Sequence, residues 1–398
     1  MGIRSVRSMA QVYVVDSGRA KEKNYDPHLK NSTLQPTWIS QTSAKQRKGR
    51  AGRVASGICF RLFSSRRHES MNPFTESELL RTPLEEMCLM CKKLGLAPGG
   101  TDDDNGIPAF LSKAMSAPHA KSVNNAIELL VDLGAMEPES NQLTALGQCL
   151  SVLSLEPRVG KMVLRSYLLG CTRVVTNMAV AMSYKSPFVL LRDAQRRAAN
   201  NAKVELSRRS QSDQVTVHYA LEQRQQCRGA QQLDGFCRKY FINPNTVQMV
   251  SELRQNLKRE LSRLGFSDPT DRKQRQSNGE DKSDAMWFAA LAAGLYPNVA
   301  FRRGGQSNFS TMSNHKMKIH VGSVNATTGQ PLNGKCMKAE RYLEFVCFGE
   351  LVRGARLFKL RWSLFLDSHA SLLRDIGAFS TCTLVAEIGV SELVAEFL

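Results

Sequence analysis

Three periodicities follow one another along this chain, and their order constrains its fold more than any other feature. Residues 12–15, VYVV, form a short apolar run stopped by Asp16-Ser17-Gly18, as expected of a buried strand ending in a turn. The polar stretch 19–41 carries β-type residues around Tyr25, Leu34, Trp38 and Ile39 and suits a strand pair in a hairpin. Residues 43–51, SAKQRKGRA, read as a short helix, and 57–63, GICFRLF, as another strand. Strand alternating with helix is the pattern of an α/β domain, but two or three sheet strands make only part of one.

From Glu76 the period changes. Pro83 suits a helix start, and Leu84, Met87, Cys88, Met90, Cys91 and Leu94 follow at helical spacing. Ala120–Leu133, stopped by Gly134, and a further helix after Leu143–Gly147 predict three helices around a short hairpin near 134–144, which fits a winged helix. Residues 150–265 read as all-helical. Their clearest element is 246–264, where Val250, Leu253, Leu257, Leu261 and Leu264 line one face between Asn243-Pro244 and Gly265. A polar loop, 266–284, precedes a helix at 285–294. Short β-type runs at 298–303, 316–321, 342–348 and 356–360 then suggest a small barrel.

Composition narrows the function. The chain has 398 residues, 42% of them apolar, and no run approaches the eighteen apolar residues of a membrane span, so no membrane partner is expected. Ten scattered cysteines are too dilute for a disulfide scaffold and read as reduced thiols of an intracellular protein. MGIRSVRSMAQ lacks the apolar stretch of a secretory signal. The net charge is +18, distributed as +10 over residues 1–70, −3 over 71–182, +8 over 183–283 and +3 over 284–398. Two basic blocks around an acidic one suggest a polyanion contacted at two places.

The sharpest string is Gln46-Arg47-Lys48-Gly49-Arg50-Ala51-Gly52-Arg53. It could be a solvated basic turn. If helical, Arg50 and Arg53 lie one turn apart and face the same way, each offering paired donors to phosphate oxygens. Such a pair suits the charge that develops on a transferring phosphoryl group.

QRKGRAGR is similar to motif VI of the DEAH/RHA group of superfamily 2 helicases, and the resemblance extends over roughly residues 12–365. VYVVDSG, YDP and WIS look like the strand, hairpin and connector between motifs V and VI. ELLRTPLEEMCLMCKKLGL resembles the winged-helix entry, and LTALGQCLSVLSLEPRVGKMVL its junction with the ratchet. MAVAMSYKSPF, GFCRKYFINPNTVQMVSELR and LAAGLYPNVA continue through the ratchet into the OB-fold. The fold class implied is multidomain: a partial second RecA-like α/β domain at 12–68, a winged helix at 76–149, a helical ratchet bundle at 150–265 and a β-barrel OB-fold at 285–365, with 366–398 unassigned.

By this resemblance Gln46, Arg50 and Arg53 would face the γ-phosphate of ATP, Arg53 as the finger, and Arg47 would have structural or interdomain duties. The hairpin within about 19–37 would act as a wedge at a strand junction. Arg158 and Lys161 would contact RNA, although a helix start also accounts for them as surface charges. His320 with Ser323-Val324-Asn325 matches an OB-fold H-P-S-S-V-N string that approaches RNA. Val321-Gly322 replaces Pro-Ser there, and a local loss of rigidity is expected.

No G-x-x-x-x-G-K-[ST] and no D-E-x-H string occurs in the sequence, so ATP with Mg2+ is expected only in a complete helicase, and no ATP hydrolysis from this chain alone. A truncated gene model, a split gene or a short paralogue would account for this. Two functions follow. One is the C-terminal part of an ATP-dependent helicase moving along single-stranded RNA or DNA, completed by a first RecA-like domain in cis or in trans. The other is a non-catalytic RNA-binding or adaptor protein; a regulatory partner docking on a separate RecA-like chain is a third. Nucleus and cytoplasm are equally expected as locations.

Other motifs weaken on inspection. Cys88-x-x-Cys91 sits in a helical apolar pattern without a second pair at zinc spacing, and His315 and His320 lack further ligands. Asp102–Gly106 resembles a calcium loop, but its twelfth position falls on Ser112 instead of Glu. Phe301, Arg302, Arg303 and Phe309 could stack on a nucleic-acid strand, or simply pack a barrel.

Overall fold

The computed structural model describes residues 13–28, 31–53, 56–100, 104–191, 194–208, 210–266, 280–296, 298–303, 308–311, 316–327, 343–353 and 358–365. His315, Asp102, Asp103, most of the expected loop 266–284 and the tail from 366 lie outside them. The chain forms two compact units, residues 1–84 with 111–125, and residues 85–110 with 126–398.

In the first unit β1 (Tyr13–Asp16) pairs in parallel with β4 (Ile58–Arg61), Tyr13 opposite Ile58 and Asp16 opposite Arg61. Val15, Tyr13, Ile58 and Phe60 are exposed, and the Tyr13 and Phe60 rings stack at 6.5 Å. Between these strands β2 (Arg19–Asp26) and β3 (Asn31–Trp38) make an antiparallel hairpin in register from Arg19–Trp38 to Asp26–Asn31. Helix α1 (Gln41–Lys48) starts on Ser40, whose Oγ accepts from the Ser43 N–H. It ends at Gly49, earlier than expected. A small core of Ile39, Ala44 and Met71 forms against Trp38 and Phe63. Trp38 also carries the Arg19 guanidinium 3.8 Å above its ring and that of Arg67 at 5.0 Å. The short helix α2 (Ser65–Glu69) receives the Gln41 side-chain amide, which donates to the carbonyls of His68 and Glu69 at its end and of Met71 beyond it.

Helices α3 (Glu85–Lys93), α4 (Ile107–Ser112), α5 (Ala120–Asp132) and α6 (Ala145–Leu150) follow. Cys88 and Cys91 are buried in α3, where burial raises both thiols, so this pair packs a core. Gly134 takes φ +72 after α5, and the expected hairpin appears as one antiparallel bridge between Met136 and Leu143. Thr144 caps α6 by accepting from the Gly147 N–H.

Six helices then make a bundle: α7 (Pro157–Leu168), α8 (Thr172–Ser183), α9 (Ala194–Leu206), α10 (Asp213–Gln226), α11 (Ala230–Lys239) and α12 (Pro244–Arg263). Helix α12 has Pro244 in its first turn and Asn243 as its cap, the Asn243 Oδ1 accepting from the N–H groups of Asn245 and Thr246. It buries Val247, Val250, Leu257 and Leu261. Helix α13 (Glu280–Leu295), longer than the sequence suggested, packs on α7 and leads into a closed barrel.

The barrel strands are β5 (Val299–Arg303), β6 (Phe309–Ser310), β7 (Lys316–Ile319), β8 (Leu343–Arg353) and β9 (Phe358–Phe365), closing in the order β5-β6-β7-β9-β8 with only β7–β9 parallel. Ala300, Phe309, Met317, Val346, Phe348, Leu351 and Leu360 fill it. Phe309 therefore packs the barrel, with Arg302 4.7 Å from its ring. Among the described residues no helix is long and apolar enough to cross a membrane, no group of three metal-ligating side chains forms, and the cysteines are free.

The α7–α13 crossing depends on one glycine. A Cβ at Gly294 would lie 2.2 Å from Met162 Cβ and 2.7 Å from its Cα, inside backbone-anchored atoms. Gly294→Ala should destabilise the chain by roughly 1–3 kcal/mol. Gly235, exposed in α11 with nothing within 4 Å of an added Cβ, is the control. Gly235→Ala should stabilise by about 0.5–1 kcal/mol through helix propensity. Urea unfolding followed by circular dichroism checks both signs.

Candidate nucleic-acid interface

One carboxylate joins the helical bundle to the barrel. Asp213 opens α10 behind its cap Ser212, whose Oγ accepts from the Val215 N–H. The Asp213 Oδ1 accepts from Lys203 Nζ at 3.2 Å and from the Val324 N–H at 2.9 Å. Its Oδ2 accepts from the Ser363 N–H at 3.1 Å and from Ser363 Oγ at 3.3 Å. Lys203 in α9 is itself buried and also donates to the Gly322 carbonyl at 2.6 Å. Burial alone pushes Asp213 upward, yet Lys203 and the donors from Ser323, Val324 and Ser363 outweigh it and hold the carboxyl below its ordinary value.

Around this anchor the polar groups of both bodies are matched. Gln214 Nε2 donates to the Trp362 carbonyl at 2.6 Å, and Trp362 takes φ +58, a conformation bulky residues rarely adopt. The Ser323 and Ser363 hydroxyls lie 2.9 Å apart. Asn325 Nδ2 donates to the Gln211 carbonyl, the Ser363 carbonyl and Ser363 Oγ. The side chains of Ser323 and Asn325 are thus buried and committed to protein partners.

His320 lies at the rim of the same junction. Its Nδ1 accepts from the Gly322 N–H at 3.1 Å, and its own N–H donates to the Leu360 carbonyl. Burial, then Arg361 and Lys359, lower it to about 4, so it is a neutral imidazole at neutral pH. Gly322 is held on both sides, by His320 and by Lys203, and an added Cβ would meet Leu190 at 3.1 Å.

These groups wall a cavity of about 360 Å³. Lys185, Arg196 and Arg361 supply charge to it, while Phe188, Phe241 and Trp362 supply aromatic surface. Arg361 pairs with Glu350 at 2.8 Å, and Lys203 Nζ lies 4.9 Å from the Phe188 ring. Cations with interleaved aromatic rings can hold a phosphate backbone while its bases stack. Of the residues singled out from sequence, His320 and Ser323 line this cavity and Asn325 lies directly behind it.

The other candidates lie elsewhere. Arg158, in the first turn of α7, donates to Asn298 Oδ1 at 2.8 Å, and the Asn298 carbonyl accepts from the Phe348 N–H. Lys161 is half-buried one turn further on. Gln46, Arg50 and Arg53 are exposed at and beyond the end of α1. Arg50 and Arg53 follow the Gly49 cap, in turns where the Arg50 and Ala51 N–H groups donate to Arg47 and Lys48, so they do not sit on consecutive turns of a helix. Between Gln46 and Arg50, Arg47 Nη1 instead pairs with the buried Asp16 at 2.9 Å and touches the Arg19 carbonyl. Sequence reasoning passed over Asp213, Lys203 and the cavity cations. Partners of Asp213 and Lys203 more than a hundred residues away leave no local signal.

Two electrostatic consequences are measurable. Asp213→Ala would leave Lys203 buried without its counter-charge and should cost roughly 3–5 kcal/mol in urea unfolding. His218, buried in α10 beside Asn177, is lowered to about 3 by burial and then by Arg173, Arg208 and Arg254. Its folded value lies below its unfolded one, so its contribution is complete above about pH 6.5 and lost as pH falls toward 3. By pH 5 this should remove about 2 kcal/mol of stability. His320, lowered to about 4, adds a further loss over the same range, so unfolding at pH 7.5 and 5 should show at least about 2 kcal/mol of loss in the native chain and about 2 kcal/mol less in His218→Gln. Asp213, also lowered, adds its own loss only in stronger acid, below its ordinary carboxylate value.

Comparison with known proteins gives these domains their relatives. Residues 156–229 match the ratchet-like helicase-associated domain (HA2), and residues 288–363 match the oligonucleotide/oligosaccharide-binding (OB)-fold. The chain is 40% identical over 318 residues to the DExH-box ATP-dependent RNA helicase DExH1 of Arabidopsis thaliana, covering 79% of this chain and 31% of that protein. It is 36% identical over 352 residues to DExH6 of the same plant, covering 86% and 26%. To the ATP-dependent DNA/RNA helicase DHX36 of Rattus norvegicus it is 34% identical over 322 residues, covering 79% and 31%. The chain thus spans about a quarter to a third of the length of these relatives. A ratchet-like bundle followed by an OB barrel, in a sequence aligned with DExH-box helicases along most of its length, means that the chain belongs to the DEAH/RHA-type helicases and carries their C-terminal region.

Proposed function

We propose that this chain is the RNA-binding C-terminal portion of an ATP-dependent helicase that couples ATP hydrolysis to translocation on and unwinding of RNA. The observation that carries the reading is the cavity at the bundle–barrel junction, where Lys185, Arg196 and Arg361 surround aromatic walls on a frame fixed by Asp213. In this reading His320 and the three cations meet the strand. Ser323 and Asn325 act through the turn they hold, and Arg158 and Lys161 through α7, with Arg158 as a strut to the barrel. Helices α3, α5 and α6 with the Met136–Leu143 bridge serve as the winged helix, and β1, β4 and α1 as part of the second RecA-like domain.

The exposed donors of Gln46, Arg50 and Arg53 fit the γ-phosphate end of ATP, whose magnesium complex supplies the phosphoryl-transfer chemistry when bound. Arg47, paired with Asp16, fixes the string from behind, leaving Arg53 to act as the finger and Arg50 and Gln46 to orient phosphate oxygens. Their exposure and cationic character support this reading. A first RecA-like domain, in cis or in trans, would provide the opposite face of the nucleotide site.

Fluorescence anisotropy with a single-stranded RNA tests the binding half. Binding should be micromolar or looser at low salt and should fall steeply as salt rises, because phosphate contacts release counterions. A Lys185→Gln, Arg196→Gln double variant should weaken it by roughly tenfold or more at low salt and flatten the salt slope by about two. Salt-independent binding, or an unchanged affinity in the double variant, would remove this cavity from the RNA path.

A further inference from the structure

A second cavity, of about 250 Å³, opens within the helical bundle itself. Among the described residues it is lined by three cations, Arg173 from α8 and Arg254 and Lys258 from α12, and by no carboxylate. Arg254 and Lys258 stand four residues apart on one helical face, so both reach the same space. The buried Thr172 and Thr176, likewise one turn apart on α8, add hydroxyls to the wall. Tyr167 and Phe266 close one side as an edge-to-face pair with centroids 5.1 Å apart.

Arg254 is oriented by two side-chain amides. Arg254 Nη1 donates to Asn177 Oδ1 at 3.1 Å, and both its Nη atoms reach the Gln225 amide oxygen at 3.1 and 3.2 Å when that amide faces them. Amides aim a guanidinium without cancelling its charge. Arg173 pairs with Glu222, which lies outside the cavity wall. The neighbouring His218 is lowered by burial first, and then by Arg173, Arg208 and Arg254.

We infer that this cavity binds a single nucleotide, its phosphate held by Arg173, Arg254 and Lys258 and its base set against the Tyr167–Phe266 pair. Cations beside an aromatic pair match one phosphorylated sugar with an aromatic base at its side. A free mononucleotide and the phosphorylated end of an RNA strand share this chemistry. The site is separate from the junction cavity, and its occupancy does not depend on the reading proposed for that cavity.

Isothermal titration of the full chain with adenosine 5′-monophosphate tests the assignment. One saturable site is expected, with adenosine and inorganic phosphate each binding more weakly. Exposed Lys258→Gln should weaken the nucleotide about tenfold with an unchanged melting curve, Lys258→Arg should retain it, and Arg173→Gln should act in the same direction. Lys113→Gln, an exposed lysine that lines neither cavity, should leave it unaltered. Equal affinity of a 5′-phosphorylated oligonucleotide, with none for its 5′-hydroxyl counterpart, assigns the strand end; preference for the monophosphate assigns the free nucleotide. No saturable binding at millimolar monophosphate, inorganic phosphate binding as tightly, or indifference to Lys258→Gln overturns the proposal.

Discussion

A buried carboxylate facing a buried ammonium sets the relation between the helical bundle and the barrel. Asp213 and Lys203 both lose their water, and such a pair is tolerated only where further hydrogen bonds satisfy the remaining lone pairs and protons. Here the barrel supplies them: two backbone N–H groups and a serine hydroxyl for the carboxylate, a glycine carbonyl for the ammonium. An apolar interface could slide by a fraction of an ångström at little cost. This one cannot, because every displacement leaves a buried charge under-satisfied. Specific placement of β7, β9 and the turn after His320 relative to α9 and α10 follows, and with it the shape of the junction cavity.

The same body uses cations in two ways. Lys203 is neutralised in place and serves as structure. Lys185 and Arg196 line the junction cavity, and Arg173, Arg254 and Lys258 the cavity within the bundle. The depressed histidines, His218 and His320, fall where these charges meet low-dielectric packing, and both stay neutral and act as acceptors. Net positive charge read from composition is therefore divided between a buried anchor and cavity walls, a division that only the fold reveals.

Local patterns carried most of the architecture. The stripe of α12, the glycine stops at 134 and 265, and the alternating strands of the barrel all depend on neighbours within one or two turns, so sequence displays them. The string around Arg50 displays its charge in the sequence but not its geometry. Gly49 ends α1, so Arg50 and Arg53 occupy turns that helical spacing could not anticipate. His320 stands in a string the sequence displays, whereas Asp213 and Lys203 act through Val324, Ser363 and Gly322, which meet them only after the chain has closed its barrel. The α13 start was placed too late because its first turn, Glu280 to Asp284, is polar and lacks the apolar spacing that marks the rest.

Asp16 connects two parts of the first unit that differ greatly in reach. Its Oδ1 accepts from the Gly18 N–H at 3.0 Å and from Arg47 Nη1, so the turn leaving β1 and the string ending α1 share one oxygen. Three residues later the chain enters β2 at Arg19, whose carbonyl also touches Arg47. The far end of the hairpin, roughly 26 Å along at about 3.3 Å per residue, is held as well: the Tyr25 N–H donates to the Arg81 carbonyl at 2.9 Å and Asn125 Nδ2 to the Pro27 carbonyl at 2.7 Å. A strand pair pinned at both ends couples the turn beside Arg47 to Arg81 and Asn125, so a shift at one end strains hydrogen bonds at the other.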